Sequence, residues 1–322
     1  MNFVAKGLMA AAAIASVSTS ALAQDFPSRP VRISVPYAAG GPSDTGTRLI
    51  QDAFGRQLGQ PIIVENRGGG GGLNATEQYL KGEPDGHNLV LGAIGPFTII
   101  PALKPVSYNV EKDFVALGTV WRSAQVLAVR PSLGVKTMAE FVAYAKANPN
   151  KVTIGSAGIG AVTHLAIELL KREAKVDVIH VPFRSTSESM PQLIGGQIDA
   201  LFGDGPIIAP QVNSGRMMAL AVAGPKRGLA LPNVPTMAEA GFPSVEAESW
   251  FGLAVSSKVP APIVKQLRDA LAVAQKDPVY LGNLAKQGAS AGDPGAEAYH
   301  TLIVTDVKKW SAIIKAAGIK AE

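Results

Sequence analysis

Short segments rich in β-branched residues alternate with helix-like segments along almost the whole chain. The predicted strands cover residues 31–37, 61–65, 87–92, 152–155, 176–181, 198–202 and 217–222, and the predicted helices cover residues 43–58, 73–79, 137–147, 161–173, 262–276, 278–287 and 294–316. Strands that alternate with helices form α/β layers around a mostly parallel sheet, so this pattern predicts an α/β fold. The length of 322 residues suggests two domains, at roughly 150 residues for each.

Individual residues mark the ends of these helices. Ser43 or Asp44 can cap the first helix, and Gly59 can close it in a left-handed conformation. Thr137 and Glu140 have the spacing of a capping box at the start of another helix. These signals fix helix starts and stops independently of the strand pattern.

Two strand–loop–helix junctions resemble each other although they lie more than 100 residues apart. The first is the segment 36–44 (PYAAGGPSD), and the second is the segment 155–160 (GSAGIG), which leads to Thr163 and His164. Both place small residues at the end of a strand and just before a helix, where free amides and the helix dipole favour an anion. Open α/β sheets bind ligands at this edge, so the junctions predict a carboxylate or phosphate site.

The first 23 residues have the pattern of a cleavable signal peptide. Lys6 precedes an apolar run of about 11 residues, and the segment ends at Ala21 and Ala23 in the small-x-small pattern. This run is too short to span a bilayer, which needs about 20 residues. We therefore expect cleavage after Ala23, a mature chain that begins at Gln24, and a periplasmic location.

Composition excludes several classes of protein. The chain has no cysteine, which excludes disulfides, thiolate metal sites and a cysteine nucleophile. Its net charge of +5 is spread along the sequence, without the basic cluster and interleaved aromatics that nucleic-acid binding favours. The hydrophobic fraction of 47% is that of a folded globular protein and not of a disordered one.

Enzyme motifs are weak throughout the sequence. The five glycines at 68–72 lead to Leu73 and Asn74, so they match neither a phosphate-binding loop nor a dinucleotide fingerprint, and a flexible or close-packed turn is expected. The four histidines show no metal-ligand spacing, and no cofactor is expected. Ser156 with His164 is the best candidate for a hydrolase pair, but it lacks a nucleophile elbow. Asp204, flanked by glycines after a predicted strand, could accept a hydrogen bond from a ligand or could simply form a turn.

Many ordered segments resemble the Bug family, the TctC-like extracytoplasmic solute receptors of tripartite tricarboxylate transporters. The matching segments are residues 26–33 (FPSRPVRI), 36–44, 64–67 (VENR), 84–89 (PDGHNL), 155–160, 164–166 (HLA), 180–183 (HVPF), 195–199 (GGQID), 231–241 (LPNVPTMAEAG) and 249–252 (SWFG). They cover essentially the whole mature chain in the order that the family has.

The resemblance implies a two-lobed periplasmic-binding-protein fold of type II with a ligand cleft between the lobes. Residues 24–125 and 248–322 would form lobe one, and residues 126–247 would form lobe two. Two hinge-crossing strands would join the lobes, and extended stretches at residues 117–129 and 248–255 can take that role.

The mechanism implied by the resemblance is capture of a small organic acid without catalysis. One carboxylate would be held by amides and hydroxyls of both junctions while the lobes close around the ligand. The implied ligand-binding residues are Tyr37, Ala38, Ala39, Gly40, Gly41 and Asp44 in lobe one, Ser156, Gly158 and Thr163 in lobe two, Pro96 and Phe97 in the cleft wall, and Asp204 at the far end of the ligand.

The sequence departs from the family at a few positions and leaves some alternatives open. Ala161 replaces a common threonine, and Ser185 follows Arg184 where glycine is usual, so the identity of the acid stays open. The expected partners are this acid and the membrane permease subunits of a transporter, with the receptor itself a monomer. A sensor that presents the bound acid to a signalling partner, or a hydrolase that uses Ser156, remains the alternative.

Overall fold

The computed structural model describes residues 26–320, and the expected signal peptide lies outside this range. The strands are β1 (Val31–Val35), β2 (Ile62–Asn66), β3 (Asn88–Ala93), β4 (Phe114–Val129), β5 (Thr153–Ser156), β6 (Ile179–Pro182), β7 (Ala200–Asp204), β8 (Met218–Val222) and β9 (Glu248–Ser256). The helices are α1 (Pro42–Leu58), α2 (Leu73–Tyr79), α3 (Ile100–Leu103), α4 (Val110–Asp113), α5 (Met138–Ala147), α6 (Val162–Ala174), α7 (Thr186–Ile194), α8 (Gly205–Asn213), α9 (Ala261–Ala274), α10 (Pro278–Lys286) and α11 (Ala296–Ala317).

The 16-residue strand β4 joins two halves of one nine-stranded sheet. Its first part pairs antiparallel with β9, which in turn pairs with β3, and β1 and β2 complete this first half in parallel. Its last part pairs antiparallel with β7 and β8, and β5 and β6 extend the second half in parallel. The strand order is β2-β1-β3-β9-β4-β7-β5-β6, with β8 also on β4.

The chain crosses between the halves a second time just before β9. The Ala247 amide donates to the Ala223 carbonyl at 2.8 Å, and the Ala247 carbonyl accepts from the Gln125 amide at 2.9 Å. β4 and β9 confirm the extended stretches expected at residues 117–129 and 248–255, because each runs through the region where the halves meet.

The side chains that the strand pattern directs inward form the core of each half. In β1, Val31, Ile33 and Val35 are fully buried, and they share one apolar cluster with Phe54 of α1. The C-terminal helix α11 packs on β4 and on α6, so its fully buried Trp310 belongs to a cluster that reaches both halves. Trp250 of β9 donates its indole N–H to Asp306 of α11 at 2.6 Å, which fixes this helix against the crossing strands.

Close backbone approaches explain two glycines in the central strands. A Cβ atom added at Gly252 would collide with the ring of Tyr299, which is fully buried on α11, and one added at Gly92 would collide with the Tyr299 hydroxyl and the ring of Phe97. The absence of these side chains lets α11 lie directly on β3 and β9.

Two local details differ from the sequence-based expectation, and a third agrees with it. The first helix begins at Pro42, and its N-cap is Gly41 and not the expected Ser43 or Asp44, because proline at the first helical position has the required φ. Helices α7 and α8 were not predicted, since Pro191 and Pro210 lie inside them. Gly59 does end α1 in the left-handed conformation, with φ of 71°. Within residues 26–320, no helix is both long and apolar enough to cross a membrane.

Candidate functional site

Two junctions occupy corresponding positions in the two halves of the sheet. Junction one, residues 36–44, connects β1 to α1, and junction two, residues 156–164, connects β5 to α6. The N-cap residues Gly41 and Ala161 make no side-chain capping bond. The first-turn amides of both helices therefore lack an intrahelical acceptor and are available to an anion.

Asp44 stabilises the backbone of junction one. Its Oδ2 accepts from the Gly40 amide at 2.9 Å, and its Oδ1 accepts from Nε of Arg48 at 2.9 Å. Gly40 adopts φ of +84°, where a residue with a Cβ atom is strained. Both carboxylate oxygens of Asp44 are thus bonded within the protein. The other small residues of the predicted site in this junction remain accessible to solvent: Ala38, Ala39 and Gly41.

Tyr37 lies at the base of junction one. Its ring packs edge-on against Phe251 with centroids 6.3 Å apart, and its carbonyl accepts from Nδ2 of Asn66 at 3.2 Å. A Cβ atom at Gly95 would lie 2.8 Å from the Tyr37 hydroxyl, so glycine is needed for this contact. Burial raises the pKa of Tyr37 well above its usual value, and the hydroxyl is therefore a neutral donor at physiological pH.

Pro96 and Phe97 do not form the expected cleft wall. The ring of Phe97 is fully buried and lies 4.9 Å from the ring of Phe114, so it has no surface that faces a ligand. Pro96 is buried as well, and its carbonyl accepts from the Tyr108 hydroxyl at 2.5 Å. Both residues lie in a π-helical turn at 95–99 whose side chains fill the core beneath the glycine run. Their role is packing, and the sequence-based expectation is corrected here.

The predicted residues of junction two are bonded to one another. Oγ of Ser156 lies 2.6 Å from Nε2 of His180 and accepts from the Gly158 amide at 3.1 Å. Oγ1 of Thr163 accepts from the Ala157 amide at 2.8 Å. Ser156 is fully buried and Thr163 is 2% exposed. These hydroxyls therefore shape the loop, and the half-buried Gly158 is the predicted member that reaches the cleft.

A stacked pair of histidines supports junction two, and the sequence did not predict the pair. The rings of His164 and His180 lie 3.9 Å apart and are inclined by 9°. His164 Nδ1 accepts from the Gly160 amide at 3.1 Å, so this nitrogen must be unprotonated. Burial is the main cause that lowers the pKa of both rings to about 4; the charge of Lys171 contributes to both shifts, and His164 contributes to that of His180. Both histidines are therefore neutral at pH 7.

Asp204 lies where β4, β7 and β9 meet. Its Oδ1 accepts from Nε2 of Gln125 at 2.9 Å, and the same nitrogen donates to Oγ of Ser249 at 3.0 Å. Burial raises the pKa of Asp204, while the hydrogen bonds from Ser249 and Gln125 oppose this rise. The structure thus places Asp204 in a polar cluster of the crossing strands, half-buried at the end of β7.

A cavity of about 570 Å³ opens between the two halves. The first half contributes Gly70, Gly71, Leu103 and Lys104 to its lining, and the second half contributes Ile159 and Arg184 among others. Every glycine from 69 to 72 has positive φ, which explains why this segment consists of glycine. The run packs on junction one, since a Cβ atom at Gly68 would lie 3.3 Å from the Ala38 amide nitrogen. In the sequence, the glycine run and the predicted site residue Gly158 were the signals for this lining.

The arrangement around Ser156 does not favour a hydrolase. The hydroxyl contacts His180 and not His164, the serine has no exposed surface, and its oxygen already bonds Gly158. No group of three or more metal-ligating side chains occurs within the described range. What the geometry does provide is a cavity between the halves, with Gly158 and Ile159 of junction two in its lining, and one uncapped helix N-terminus in each half.

Comparison with known proteins agrees with this geometry. Residues 47–319 match the family described as the tripartite tricarboxylate transporter family receptor. A protein encoded in the gbd 5′ region of Cupriavidus necator is 35% identical over 99% of this chain and 98% of its own length.

Two solved structures share both sequence and fold with the chain. MatC of Rhodopseudomonas palustris with bound malate is 32% identical, with a TM-score of 0.77 over 90% of this chain and 100% of that one. The periplasmic binding protein BugD is 31% identical, with a TM-score of 0.78 over 92% of this chain and 100% of that one. The fold is accordingly the two-lobed periplasmic-binding-protein fold, in which β4 and β9 cross between the lobes, and the family is one of receptors and not of enzymes. The chain belongs to the Bug family of solute receptors for tripartite tricarboxylate transporters.

Proposed function

We propose that the protein captures a small organic carboxylate in the cavity between its lobes and delivers it to a transporter. The observation that carries this proposal is the pair of junctions with uncapped helix N-termini, one from each half, beside a cavity of about 570 Å³. A volume in this range suits a small-molecule ligand. The malate in the related MatC structure supports an organic acid as the ligand class.

The proposed site unites accessible groups from both junctions. Ala39 and Gly41 in junction one, and the first turn of α6 in junction two, would supply amides for one carboxylate, and the half-buried Gly158 would line the site. Asp44, Ser156 and Thr163 hold these loops through the hydrogen bonds described above. Asp204 would meet the far end of the ligand. Neither junction encloses a ligand alone, so full affinity requires closure of the lobes.

The proposed lobes divide the chain at the crossing strands. Residues 24–125 and 248–322 form lobe one, and residues 126–247 form lobe two. The change of partners along β4 supports this division, because Ala124 pairs with β9 and Gln125 pairs with β7.

Export and partnership complete the proposal. The signal-peptide pattern of residues 1–23 supports cleavage after Ala23 and a periplasmic location. The receptor would act there as a monomer and would meet permease subunits in the membrane. Intact mass spectrometry of the exported protein should give a chain that begins at Gln24. A periplasmic chain that retains Met1 would contradict cleavage at this site.

A thermal-shift screen of organic acids, each paired with its neutral amide, tests the proposed ligand class. A ligand at 100 times its Kd should stabilise the protein by about 2.7 kcal/mol, which is a readily measured rise in Tm. The neutral amide derivative of the ligand should bind more weakly than the acid by about 1–3 kcal/mol, because the backbone N–H groups of the site form stronger hydrogen bonds to an ionised carboxylate. Equal shifts with an acid and its amide, or no shift with any acid, would refute the anion site.

A further inference from the structure

The crossing strand β4 presents two opposite sides where it passes between the lobes. No register shift interrupts its pairing between residues 121 and 126, so successive side chains there point alternately to the two sides. Trp121 lies beneath the start of α1, because a Cβ atom added at Gly46 would be 3.0 Å from its Cβ. Gln125 points to the same side and bonds Asp204. This side therefore faces the proposed ligand site, and the opposite side is the rear of the hinge.

A small cavity of about 20 Å³ lies at the rear of the hinge. Its lining includes Ala124 and Val126 of β4, Ala230 and Leu231 of lobe two, and Gly288 of lobe one. It shares no lining residue with the cavity of about 570 Å³ at the ligand site. The rear cavity thus lies between the lobes on the side away from the proposed ligand.

Gly288 and Ala230 meet across the lobe boundary beside this cavity. Gly288 has φ of +71°, and a Cβ atom added there would lie 2.9 Å from Cβ of Ala230. Both residues are half-buried. The ligand-site side shows a matching contact, since a Cβ atom added at Gly160 would lie 2.7 Å from Cδ1 of Leu103. In this structure the lobes therefore touch both at the front and at the rear of the hinge.

Backbone hydrogen bonds support both sides of the rear contact. The chain that follows Gly288 is anchored to β4, because the Arg122 amide donates to the Ser290 carbonyl at 2.7 Å and the Ser290 amide donates to the Arg122 carbonyl at 3.0 Å. On lobe two, the amide of the buried Leu231 donates to the Gly228 carbonyl at 3.0 Å. These bonds hold both segments in place, so the contact between them resists closer approach of the lobes at the rear.

We infer that Gly288 and Ala230 form a stop behind the hinge, which sets how far the ligand site can open. Rotation that separates the lobes at the front brings them together at the rear, where the methyl group of Ala230 then presses on Gly288. While the lobes touch at the front, the adjacent cavity of about 20 Å³ leaves room for a slightly larger side chain at residue 230. Such a side chain should therefore disfavour the open state and not the closed one. The inference goes beyond the proposed function, because it concerns the lobes before any ligand binds.

The lack of cysteine in the sequence allows a direct measurement of opening. Lys104→Cys and Arg184→Cys place one spin label on each lobe, because both side chains are exposed and line the interlobe cavity. Pulsed electron paramagnetic resonance then gives the distribution of distances between the labels in the protein without ligand. In this labelled background, Ala230→Val should shift the distribution to shorter distances, and Ala230→Gly should shift it to longer ones.

A matched variant separates the stop from a general effect of added bulk. Ala238→Val adds the same two methyl groups at an exposed position of lobe two and should leave the label distances unchanged. An Ala230→Val protein whose distances equal those of the wild type, or exceed them, would overturn the stop. The Ala230→Gly variant keeps the test decisive if valine disturbs folding, because unchanged distances in that variant would overturn the stop as well.

Calorimetry with malate as the probe measures the consequence for binding in the unlabelled protein. The apparent affinity scales with the fraction of protein in the binding-competent state, which is the closed one here. Ala230→Val should therefore bind malate about fivefold more tightly than the wild type, the scale of overpacking at a close contact. Absence of binding by malate and by every acid of the thermal-shift screen would overturn the proposed function, whereas the label distances would still decide the stop.

Discussion

Substitution of Gly160 by alanine should weaken ligand binding because it disturbs a contact between the lobes. Gly160 lies in junction two with φ of +75°, and a Cβ atom there would lie 2.7 Å from Cδ1 of Leu103 on α3. A carbon–carbon contact this short forces the Leu103 side chain away from its rotamer, at a cost of about 1 kcal/mol. This cost arises only when the lobes are together, so affinity should fall about fivefold.

The same substitution has a second effect that must be separated from the first. Alanine at positive φ costs about 1–2 kcal/mol in the folded protein whether the cleft is open or closed. Gly134→Ala measures this strain alone, since Gly134 has φ of +79° and no atom within 4 Å of the added Cβ. Gly134→Ala should therefore lower stability and leave affinity at the wild-type level.

Ligand affinities of four proteins, measured by calorimetry, test whether the contact between residues 160 and 103 affects closure of the lobes. The set comprises the wild type, Gly160→Ala, Leu103→Ala and the double variant, each titrated with an acid identified in the screen. The double variant should recover the affinity lost through the clash, which gives a coupling energy of about 0.5–1.5 kcal/mol. If Gly160→Ala binds as tightly as the wild type, or if Leu103→Ala restores nothing, the lobes do not close through this contact.

Four further predictions concern buried positions. Acidification from pH 7 to pH 4.5 should destabilise the protein, because the pKa values of His164 and His180 are lowered from about 6.5 to about 4 and the unfolded chain therefore binds these protons first. Chemical denaturation of the double variant His164→Gln, His180→Gln should show a smaller loss of stability on acidification, and an equal loss would contradict the role of the pair. The effect of Asp204→Asn on stability, relative to the wild type, should be more favourable at pH 8 than at pH 4. The pKa of Asp204 is raised by burial, so the ionised carboxylate destabilises the wild type at high pH and the variant removes that cost. A thermal-unfolding difference with the opposite pH trend would refute this cause. Tyr299→Phe should leave stability unchanged or raise it slightly, because the buried hydroxyl has no hydrogen-bond partner in the described part of the chain. Gly252→Ala should lower the free energy of unfolding, measured in urea, by about 1–3 kcal/mol, because the added Cβ collides with the ring of Tyr299. A Gly252→Ala variant with wild-type stability would contradict this close packing.

Features encoded by local chain geometry were predicted well from the sequence. The two junctions follow from small residues placed before helices, and Gly59 and Thr137 act at helix ends as expected. The predicted N-cap, Ser43 or Asp44, lies two or three residues after the observed N-cap Gly41, because Pro42 is an equally good local start. These signals depend on only a few neighbouring residues, so they can be identified from the sequence alone.

Features that depend on packing between distant segments were not predicted. Phe97 was expected in the cleft, yet its burial is decided by Phe114 and by α11, which the chain brings together from far along the sequence. The partner of Ser156 is His180 and not the nearer His164, because β5 and β6 pair side by side. Lys104 and Arg184 converge on one cavity only through the arrangement of the two halves.

The central position of β9 has a consequence for the order in which the chain can fold. β9 lies between β3 and β4, yet its residues 248–256 are synthesised more than 100 residues after both of its neighbours. Until β9 is in place, the first half of the sheet consists of two separate pieces, each with an unpaired strand edge. The second half, whose strands β5 to β8 and β4 are contiguous in sequence, can form earlier. The second half of the sheet should thus form before the first half, and the late, long-range pairing of β9 with β3 and β4 should set the overall folding rate.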